Sequence, residues 1–265
     1  MKLRYKVAAV LAIATLVAGT AAANSVLAKP EYMTASTDAA TIKPLAYVGD
    51  TLSGHTLRGI PDGMGAMRNA DGTITLLTVH EVPSYGAIGA LAKAADKGKP
   101  IQGTSITKLT LNKAGDRVLS ASDLVSSWSF YNYNTGQYQA SPVGAAPKTQ
   151  TLGMDNFISR FCSATLVQPG ALSFKDGSTT LGYDGAVFLS GEEDGDSGYG
   201  RGFAFDMDGN GINLPRMGLA SWENLMPNLK PGKNTVVMGN EDGDATDSQL
   251  FMYVGTKTAT GTFAD

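Results

Sequence analysis

Residues 186–196 read A-V-F-L-S-G-E-E-D-G-D, and residues 235–244 read T-V-V-M-G-N-E-D-G-D. Both stretches begin with residues typical of β-strands and end in an acidic turn. The tetrapeptide Glu-Asp-Gly-Asp stands at 193–196 and at 241–244, so the unit recurs after 48 residues. Four-stranded propeller blades typically repeat every ~40–50 residues. The recurrence predicts an all-β protein and favours a β-propeller, with a β-sandwich as the alternative.

Other parts of the chain support this fold class. Segments 73–79, 106–111, 202–206 and 249–255 have strand composition and are bordered by turn residues. At the blade length above, the chain after its first 28 residues holds about five blades. It ends soon after the last of these segments, which is the pattern expected of a shortened version of a longer propeller.

Two segments predict other structure. Residues 87–97 (A-I-G-A-L-A-K-A-A-D-K) have the composition of a short surface helix. Residues 126–152 are rich in Ser, Asn, Gln, Tyr and Gly without a clear period, which predicts a long excursion over the surface. Trp128, Tyr131, Tyr133 and Trp222 could line a pocket, although core packing is the expectation for most of them.

The first 28 residues have the three-part pattern of a secretory signal. Lys2, Arg4 and Lys6 precede an apolar run over 7–17, and small residues allow cleavage after Ala23 or Ala28. The run is shorter than the ~20 residues that span a bilayer, and no later stretch is apolar enough for a transmembrane helix. We expect an exported protein, periplasmic or extracellular, with residues 29–265 as one propeller domain and no stable membrane insertion.

Composition excludes several classes of function. The net charge is −3 and no Lys/Arg cluster occurs, so we expect no nucleic-acid partner. Only two histidines are present, His55 and His80, which excludes a three-histidine zinc site. The chain has no G-x-S-x-G elbow and no P-loop. Its single cysteine, Cys162, permits no internal disulfide and is either a small buried hydrophobe or a metal ligand.

Acidic residues follow three of the strand segments. Glu81 comes after 73–79, Glu192 and Glu193 after 186–190, and Glu241 and Asp242 after 235–239. Equivalent strand ends in successive propeller blades face one axis, so these carboxylates are expected to converge. Converging carboxylates repel unless a cation neutralises them, and oxygen ligands favour Ca²⁺, Mg²⁺, Mn²⁺ or ferric iron. Solvated acidic turns are the alternative.

A separate loop, Asp206–Gly211 (D-M-D-G-N-G), matches the opening of a calcium-binding loop. The twelfth position is Met217, where a complete EF-hand has glutamate. A plain hairpin turn is therefore the favoured interpretation of this loop, with weak calcium binding as the alternative.

Six motifs stand in order along the chain: V-H-E (79–81), F-C-S-A-T-L (161–166), L-S-G-E-E (189–193), G-R-G-F-A-F (200–205), R-M-G-L-A-S-W-E-N (216–224) and V-V-M-G-N-E-D (236–242). In this order they resemble the landmarks of the PhoX-type alkaline phosphatases, a group of secreted bacterial β-propeller phosphomonoesterases. The resemblance runs from about Gly59 to Tyr253. The family's Gly-Gly-Thr-Pro-Trp after the cysteine is replaced here by 163–166, and Trp222 replaces the histidine before Glu223.

The resemblance implies a cluster of Fe³⁺ and Ca²⁺ with a cysteine among the iron ligands. By motif it implies Glu81, Cys162, Glu193 and Glu223 as ligands and places Asp242 near a calcium-binding turn. Together with the strand-end positions, the predicted metal-binding set is Glu81, Cys162, Glu192, Glu193, Glu223, Glu241 and Asp242.

The implied activity is hydrolysis of small phosphate esters by a monomer. Arg160, Arg201 or Arg216 could hold the substrate phosphate through a bidentate guanidinium. We favour Arg201 as the catalytic residue, because it lies eight residues after Glu193. The alternatives are a non-catalytic calcium-binding propeller that serves as an interaction module, and a phytase-like esterase.

Overall fold

The computed structural model describes residues 32–82, 103–140, 158–193, 200–229, 232–259, 261 and 263. These residues form β-strands, turns and one short 3₁₀ turn, with no α-helix among them. The all-β prediction is therefore confirmed. None of the sheets in the described part of the chain closes on itself. No helix within the described ranges is long and apolar enough to cross a membrane.

The N-terminal sheet is a four-stranded antiparallel meander in the order β3-β4-β5-β6. A small hairpin, β1 with β2, precedes it. Between β3 and β4 the register shifts from Pro61↔His80 to Met64↔Thr78, so two residues of β3 face one residue of β4 in a β-bulge. The strands are β1 (Thr51–Leu52), β2 (His55–Thr56), β3 (Ile60–Arg68), β4 (Ile74–Val82), β5 (Gly103–Leu111) and β6 (Val118–Asp123).

The central sheet has six strands in the order β8-β7-β14-β13-β12-β9. All of its pairs are antiparallel except β14 with β7, which run parallel. A separate hairpin, β10 with β11, leaves this sheet between β9 and β12. The strands are β7 (Ser127–Asn132), β8 (Gln137–Gln139), β9 (Ala164–Val167), β10 (Leu172–Asp176), β11 (Thr179–Tyr183), β12 (Val187–Gly191), β13 (Gly202–Phe205) and β14 (Asn210–Asn213).

The C-terminal sheet has three antiparallel strands in the order β15-β16-β17. The 3₁₀ turn, Pro215–Met217, connects it to the central sheet. Between β15 and β16 the register shifts from Trp222↔Glu241 to Asn224↔Asn240, so Glu223 occupies a bulge. The strands are β15 (Trp222–Pro227), β16 (Asn234–Glu241) and β17 (Leu250–Thr256).

The central sheet is buried on both faces. Phe188 of β12 packs in one apolar core with Phe203 and Phe205, whereas its neighbours Val187 and Leu189 belong to a second core. Successive residues of a strand point to opposite faces, so this arrangement requires consecutive apolar residues, which Val187, Phe188 and Leu189 supply. Burying each such side chain contributes about 1.5–3 kcal/mol to folding. Strand β12, which ends directly before Glu192 and Glu193, is thus held rigidly.

The aromatic residues singled out in the sequence divide between core and cavity. Trp222 is buried in the second core, and Trp128 packs against the first. Tyr131 and Tyr133 line a cavity.

A close approach joins the N-terminal and central sheets. A Cβ atom at Gly63 would lie 2.1 Å from the backbone nitrogen of Ala164, so only glycine lets β3 lie directly against the start of β9. Gly191 plays the same part at the other sheet junction, since its Cβ would lie 2.3 Å from that of Trp222. These two contacts bring the ends of all three sheets to one place.

The strand predictions for the six quoted segments are confirmed by β4, β5, β12, β13, β16 and β17. The excursion predicted over 126–152 is wrong where the chain is described, because β7 and β8 form an antiparallel hairpin there. The alternation of Ser127 and Ser129 with Trp128 and Phe130 in β7 is the strand signal that the surrounding Asn, Gln and Gly residues obscured. The rest of that segment, the signal over 1–28, the helix over 87–97 and residues 194–199 lie outside the described residues.

Candidate metal centre

Six potential metal ligands lie where the three sheets meet. Asp62, Glu81 and Cys162 form one group, and in each group the ligand atoms lie within 4.8 Å of one another. The Cys162 thiol donates to Glu81 Oε1 at 2.6 Å. The second group consists of Glu193, Glu223 and Asp242.

The two groups interact and form a single feature, which we call the acidic cluster (Asp62, Glu81, Cys162, Glu193, Glu223 and Asp242). Cys162 bonds carboxylates of both groups, Glu81 and Glu193. The charge of Glu193 also acts on Asp62, and Asp62 acts on Glu223. Five carboxyl groups and one thiol therefore share one electrostatic environment.

Backbone irregularities aim two of the ligands into the acidic cluster. Asp62 lies in the bulge of β3, and Glu223 lies in the bulge of β15. A bulge adds one residue to a strand and turns a side chain out of the regular alternation. Glu81, in contrast, is an ordinary member of the β4 ladder.

Hydrogen bonds to the backbone fix the positions of Glu193, Asp242 and Glu223. The Glu193 amide donates to the carbonyl of Arg160 at 2.9 Å, which ties the end of β12 to the segment before Cys162. The Asp242 amide donates to the carbonyl of Ser221 at 2.7 Å, just before β15. The Ser163 hydroxyl donates to the carbonyl of Glu223. The ligand positions are set by backbone contacts as well as by side chains.

The acidic cluster runs from the interior to the surface. Glu193 is 5% exposed, whereas Asp242 is exposed and the other four ligands are half-buried. A solute could reach the cluster from the Asp242 side. Arg160 stands beside it, with its guanidinium paired to Glu193 Oε1 and its side chain 47% exposed.

Burial and repulsion between carboxylates raise the pKa values of three carboxyl groups in the cluster. Burial raises the pKa of Asp62, and the charge of Glu81 and a hydrogen bond between the two carboxyls add to this shift. Burial also raises the pKa of Glu223, followed by the charges of Glu193 and Asp242. A hydrogen bond to Glu193 raises the pKa of Asp242. Without a cation, these groups therefore retain protons that isolated carboxyls would lose.

The pKa of the Cys162 thiol is raised for similar reasons. Burial raises its pKa strongly, and its bonds to Glu193 and Glu81 raise it further. A thiol between two carboxylates stays protonated unless a metal ion replaces the proton. In the described structure Cys162 is half-buried among polar groups rather than packed as a core hydrophobe.

Two of the predicted site residues pair with each other outside this cluster. Glu192 Oε2 accepts from Arg201 Nε at 2.6 Å, and Glu192 Oε1 accepts from a terminal nitrogen of Arg201 at 2.8 Å. The backbone amides of Ser159 and Arg201 donate to the same carboxylate at 2.8 and 2.9 Å. Both side chains are buried, with the Arg201 guanidinium 5.4 Å from the ring centre of Phe130. The structure thus engages Glu192 with Arg201 rather than with the acidic cluster.

The sequence interpretation missed Asp62 and ranked Arg160 below Arg201. Asp62 stands in Ile-Pro-Asp-Gly, whose Pro and Gly indicate an interrupted strand, and that signal could have identified the bulge. Glu241, the last residue of β16, does not belong to either group of potential ligands among the described residues. Its neighbour Asp242 occupies the cluster instead.

The Asp206–Gly211 loop forms a hairpin turn between β13 and β14. Asp206 Oδ1 accepts from the amides of Asp208 and Asn210 at 3.0 and 2.8 Å, and Asp206 Oδ2 accepts from the Asn210 side chain at 2.7 Å. This carboxylate therefore stabilises the turn, which supports the favoured hairpin interpretation.

His55 belongs to a polar network near β6, and His80 is buried close to it. His55 Nε2 lies 3.1 Å from Thr107 Oγ1, and Arg58 pairs with Asp123 at 3.2 Å. His80 is 1% exposed. Burial lowers its pKa to about 4, with the charges of His55 and Arg58 adding to the effect, so His80 is neutral at pH 7.

The geometry assembles one group of hard oxygen ligands with one thiol, beside an accessible guanidinium. Comparison of the chain with protein-family models, curated proteins and solved structures finds no match. The functional interpretation therefore depends on the residues of this site.

Proposed function

We propose that the protein is an exported, metal-dependent phosphomonoesterase. The observation that carries the proposal is the convergence of Glu81, Cys162, Glu193, Glu223 and Asp242, which lie up to 161 residues apart in the sequence. The resemblance to the PhoX-type phosphatases implies the first four of these residues as metal ligands and places Asp242 near a calcium-binding turn. Export is proposed from the N-terminal sequence pattern.

The donor set fits the two metal ions that the resemblance implies. Carboxylate oxygens are the ligands that Ca²⁺ prefers, and ferric iron accepts carboxylates together with a thiolate. Cys162 would bind iron with Glu81 and Asp62 beside it. Glu193, Glu223 and Asp242 would supply carboxylates to further cations. Bound cations would also remove the repulsion that raises the pKa values of these carboxyls.

The chemistry would divide between the bound ions and the chain. Bound Ca²⁺ and Fe³⁺ would polarise the phosphoryl oxygens of a phosphate ester and offset the negative charge of the transition state. Arg160 would orient the substrate, because its guanidinium is half-exposed next to Glu193 and can bond two phosphate oxygens. We assign to Arg160 the role proposed from the sequence for Arg201, because the Arg201 guanidinium is buried and two of its nitrogens bond Glu192.

A β-propeller accounts for this convergence. The N-terminal, central and C-terminal sheets each deliver ligands to the acidic cluster from a strand end or a bulge. Adjacent blades around one axis would produce such a meeting point. We propose this architecture for the complete fold.

A calcium-binding interaction module is the second candidate. The observation in its favour is that the acidic cluster joins all three sheets, so that cations bound there would cross-link them. In that case the metal would stabilise the fold without turnover. A phytase-like esterase would share the hydrolytic chemistry.

Hydrolysis of p-nitrophenyl phosphate at alkaline pH, by protein loaded with Ca²⁺ and Fe³⁺, tests the proposal. We expect turnover in the wild type and its loss in Cys162→Ala and in Asp242→Asn. The matched control is Glu241→Gln, which removes the neighbouring acid that lies outside the cluster and should keep turnover. Activity that survives chelation and Cys162→Ala would contradict the phosphatase proposal. A folded, metal-loaded protein without turnover would favour the interaction module.

A further inference from the structure

The cavity that Tyr131 and Tyr133 line lies apart from the acidic cluster. It has a volume of about 610 Å³, within the range of ~300–1,000 Å³ typical of small-molecule sites. The β7–β8 hairpin, the β10–β11 hairpin, one face of β12 and β13, the 3₁₀ turn and the inner face of the C-terminal sheet enclose it. None of the cluster residues lines it.

Aromatic rings form much of its wall. Tyr131 packs edge-on against Tyr133 and Tyr138, with ring centres 5.1 and 5.3 Å apart. Tyr183 and Tyr253 contribute from the β10–β11 hairpin and from β17. Such rings offer large apolar surfaces that suit an aromatic or apolar ligand body.

The charged groups of the cavity are all positive. Arg216 and Lys257 line it, and no aspartate or glutamate is among the described residues that do so. This contrasts with the protein as a whole, whose net charge is −3. The cavity therefore has the opposite electrostatic character to the acidic cluster.

Lys257 is the buried one of the two positively charged residues that line the cavity. It is 7% exposed, and its Nζ donates to the carbonyl oxygen of Asn234 at 2.5 Å. No carboxylate of the described chain pairs with it. Its stem passes over Gly182, where a Cβ atom would lie 2.8 Å from the lysine Cδ. Burial lowers its pKa, and no charge among the residues that the structure describes offsets this shift.

A buried ammonium group without an anionic partner is costly, and an anion in the cavity would remove that cost. Arg216, exposed on the 3₁₀ turn, lies at the same cavity and forms no ion pair within the described residues. We propose that this cavity binds a small monoanionic ligand with an aromatic or apolar body, whose anionic group pairs with Lys257. This function is additional to the proposed phosphatase site.

Fluorescence titration with three matched probes tests the proposal on the purified full chain. The probes are 1-pyrenebutyrate, 1-pyrenebutanol and 1-pyrenebutylamine, which share one apolar body and differ in the charge of the end group. Excess EDTA is present throughout, so that a metal ion at the acidic cluster cannot bind the carboxylate. A failure here is thereby separate from a failure of the phosphatase proposal.

We expect pyrenebutyrate to bind about 10-fold more tightly than pyrenebutanol, with pyrenebutylamine weakest. Lys257→Met should abolish the preference for the anion, and Lys257→Arg should retain part of it. Lys113→Met, which removes an exposed lysine outside the cavity, is the matched control and should change nothing. Thermal melting identifies variants that fail to fold.

Arg216→Gln is an independent arm, because an exposed residue can be replaced without disturbing the core. It should weaken pyrenebutyrate more than pyrenebutanol. Equal affinity for all three probes, no binding up to the solubility limit of pyrenebutyrate, or an anion preference that survives both Lys257→Met and Arg216→Gln would each overturn the proposal.

Discussion

Glu192 and Glu193 are adjacent and both nearly buried, yet their surroundings differ completely. Glu192 accepts hydrogen bonds from two nitrogens of the Arg201 guanidinium and from two backbone amides. Glu193 faces Cys162, Glu223 and Asp242, with Arg160 as its cationic partner. The charge of Glu192 is compensated within the chain, whereas that of Glu193 is shared with more acids than the neighbouring arginine can balance.

The difference teaches that burial of a carboxylate does not by itself indicate a metal ligand. Alternation after β12 sends the two side chains in opposite directions, and what each one meets decides its role. A fully bonded carboxylate serves the fold. A carboxylate among other acids needs a proton or a cation.

The largest effect is expected from Glu192→Gln. Removing one partner of a buried ion pair leaves Arg201 uncompensated and should lower the free energy of unfolding by about 3–5 kcal/mol. Urea denaturation of the metal-free protein measures this change. Glu193→Gln is the matched control, and it should be neutral or stabilising because it relieves repulsion. A greater loss in Glu193→Gln than in Glu192→Gln would reverse the comparison.

The next effect concerns stabilisation by metal. Ligands that bind only the folded state stabilise it by about 2.7 kcal/mol at 100 times the Kd. Ca²⁺ with Fe³⁺ should therefore raise the Tm of the wild type, and Glu193→Gln should lose most of that increase. Glu241→Gln should keep it. Equal increases in Glu193→Gln and Glu241→Gln would show that the cations bind elsewhere.

Arg160→Gln sharpens the distinction between the two arginines. A charge-assisted hydrogen bond contributes about 1.5–3 kcal/mol, so kcat/KM for p-nitrophenyl phosphate should fall roughly 10- to 150-fold. The Tm should change little, since the side chain is half-exposed. Arg68→Gln, on the exposed end of β3, is the control. An unchanged kcat/KM would remove Arg160 from the substrate site.

The smallest expected effect is the pH dependence of the stability of the metal-free protein. Asp62, Glu223 and Asp242 have pKa values raised above those of the unfolded chain, so the folded state binds more protons. Their contribution to stability is present below the unfolded values of 3.8 and 4.5, and it is lost as the pH rises through the folded ones. Lowering the pH from 8 towards 5 should therefore favour the wild type relative to Glu223→Gln.

Differential scanning calorimetry of the two proteins in EDTA follows this difference. With Ca²⁺ and Fe³⁺ bound, the trend should reverse, because protons compete with the metal for the same oxygens. A difference in Tm that is independent of pH would contradict the raised pKa values.

Much of the fold could be predicted because its strands are apolar and bordered by turns. The segment before Glu192 shows both features, as does β16. The parallel pairing of β7 with β14 could not be predicted, because the pairing joins residues more than 80 positions apart. Long-range contacts of this kind leave little trace in a single sequence.

The site was partly predictable for a related reason. Strand ends indicated Glu81, Glu193 and Asp242, but alternation alone does not say which of two adjacent acids faces the centre. Pro61 and Gly63 mark the bulge that holds Asp62, but the packing of β3 against β9, about 100 residues away, could not be predicted from the sequence. Sequence proximity to Glu193 favoured Arg201, although Arg201 folds back onto Glu192.

Elemental analysis of the purified protein tests the central claim, that the acidic cluster is a metal centre. Wild-type protein and Glu241→Gln should both contain iron and calcium. Cys162→Ala should lose the iron, and Glu193→Gln should lose most of both metals while remaining folded. Protein without iron or calcium, or equal metal content in all four proteins, would contradict the claim.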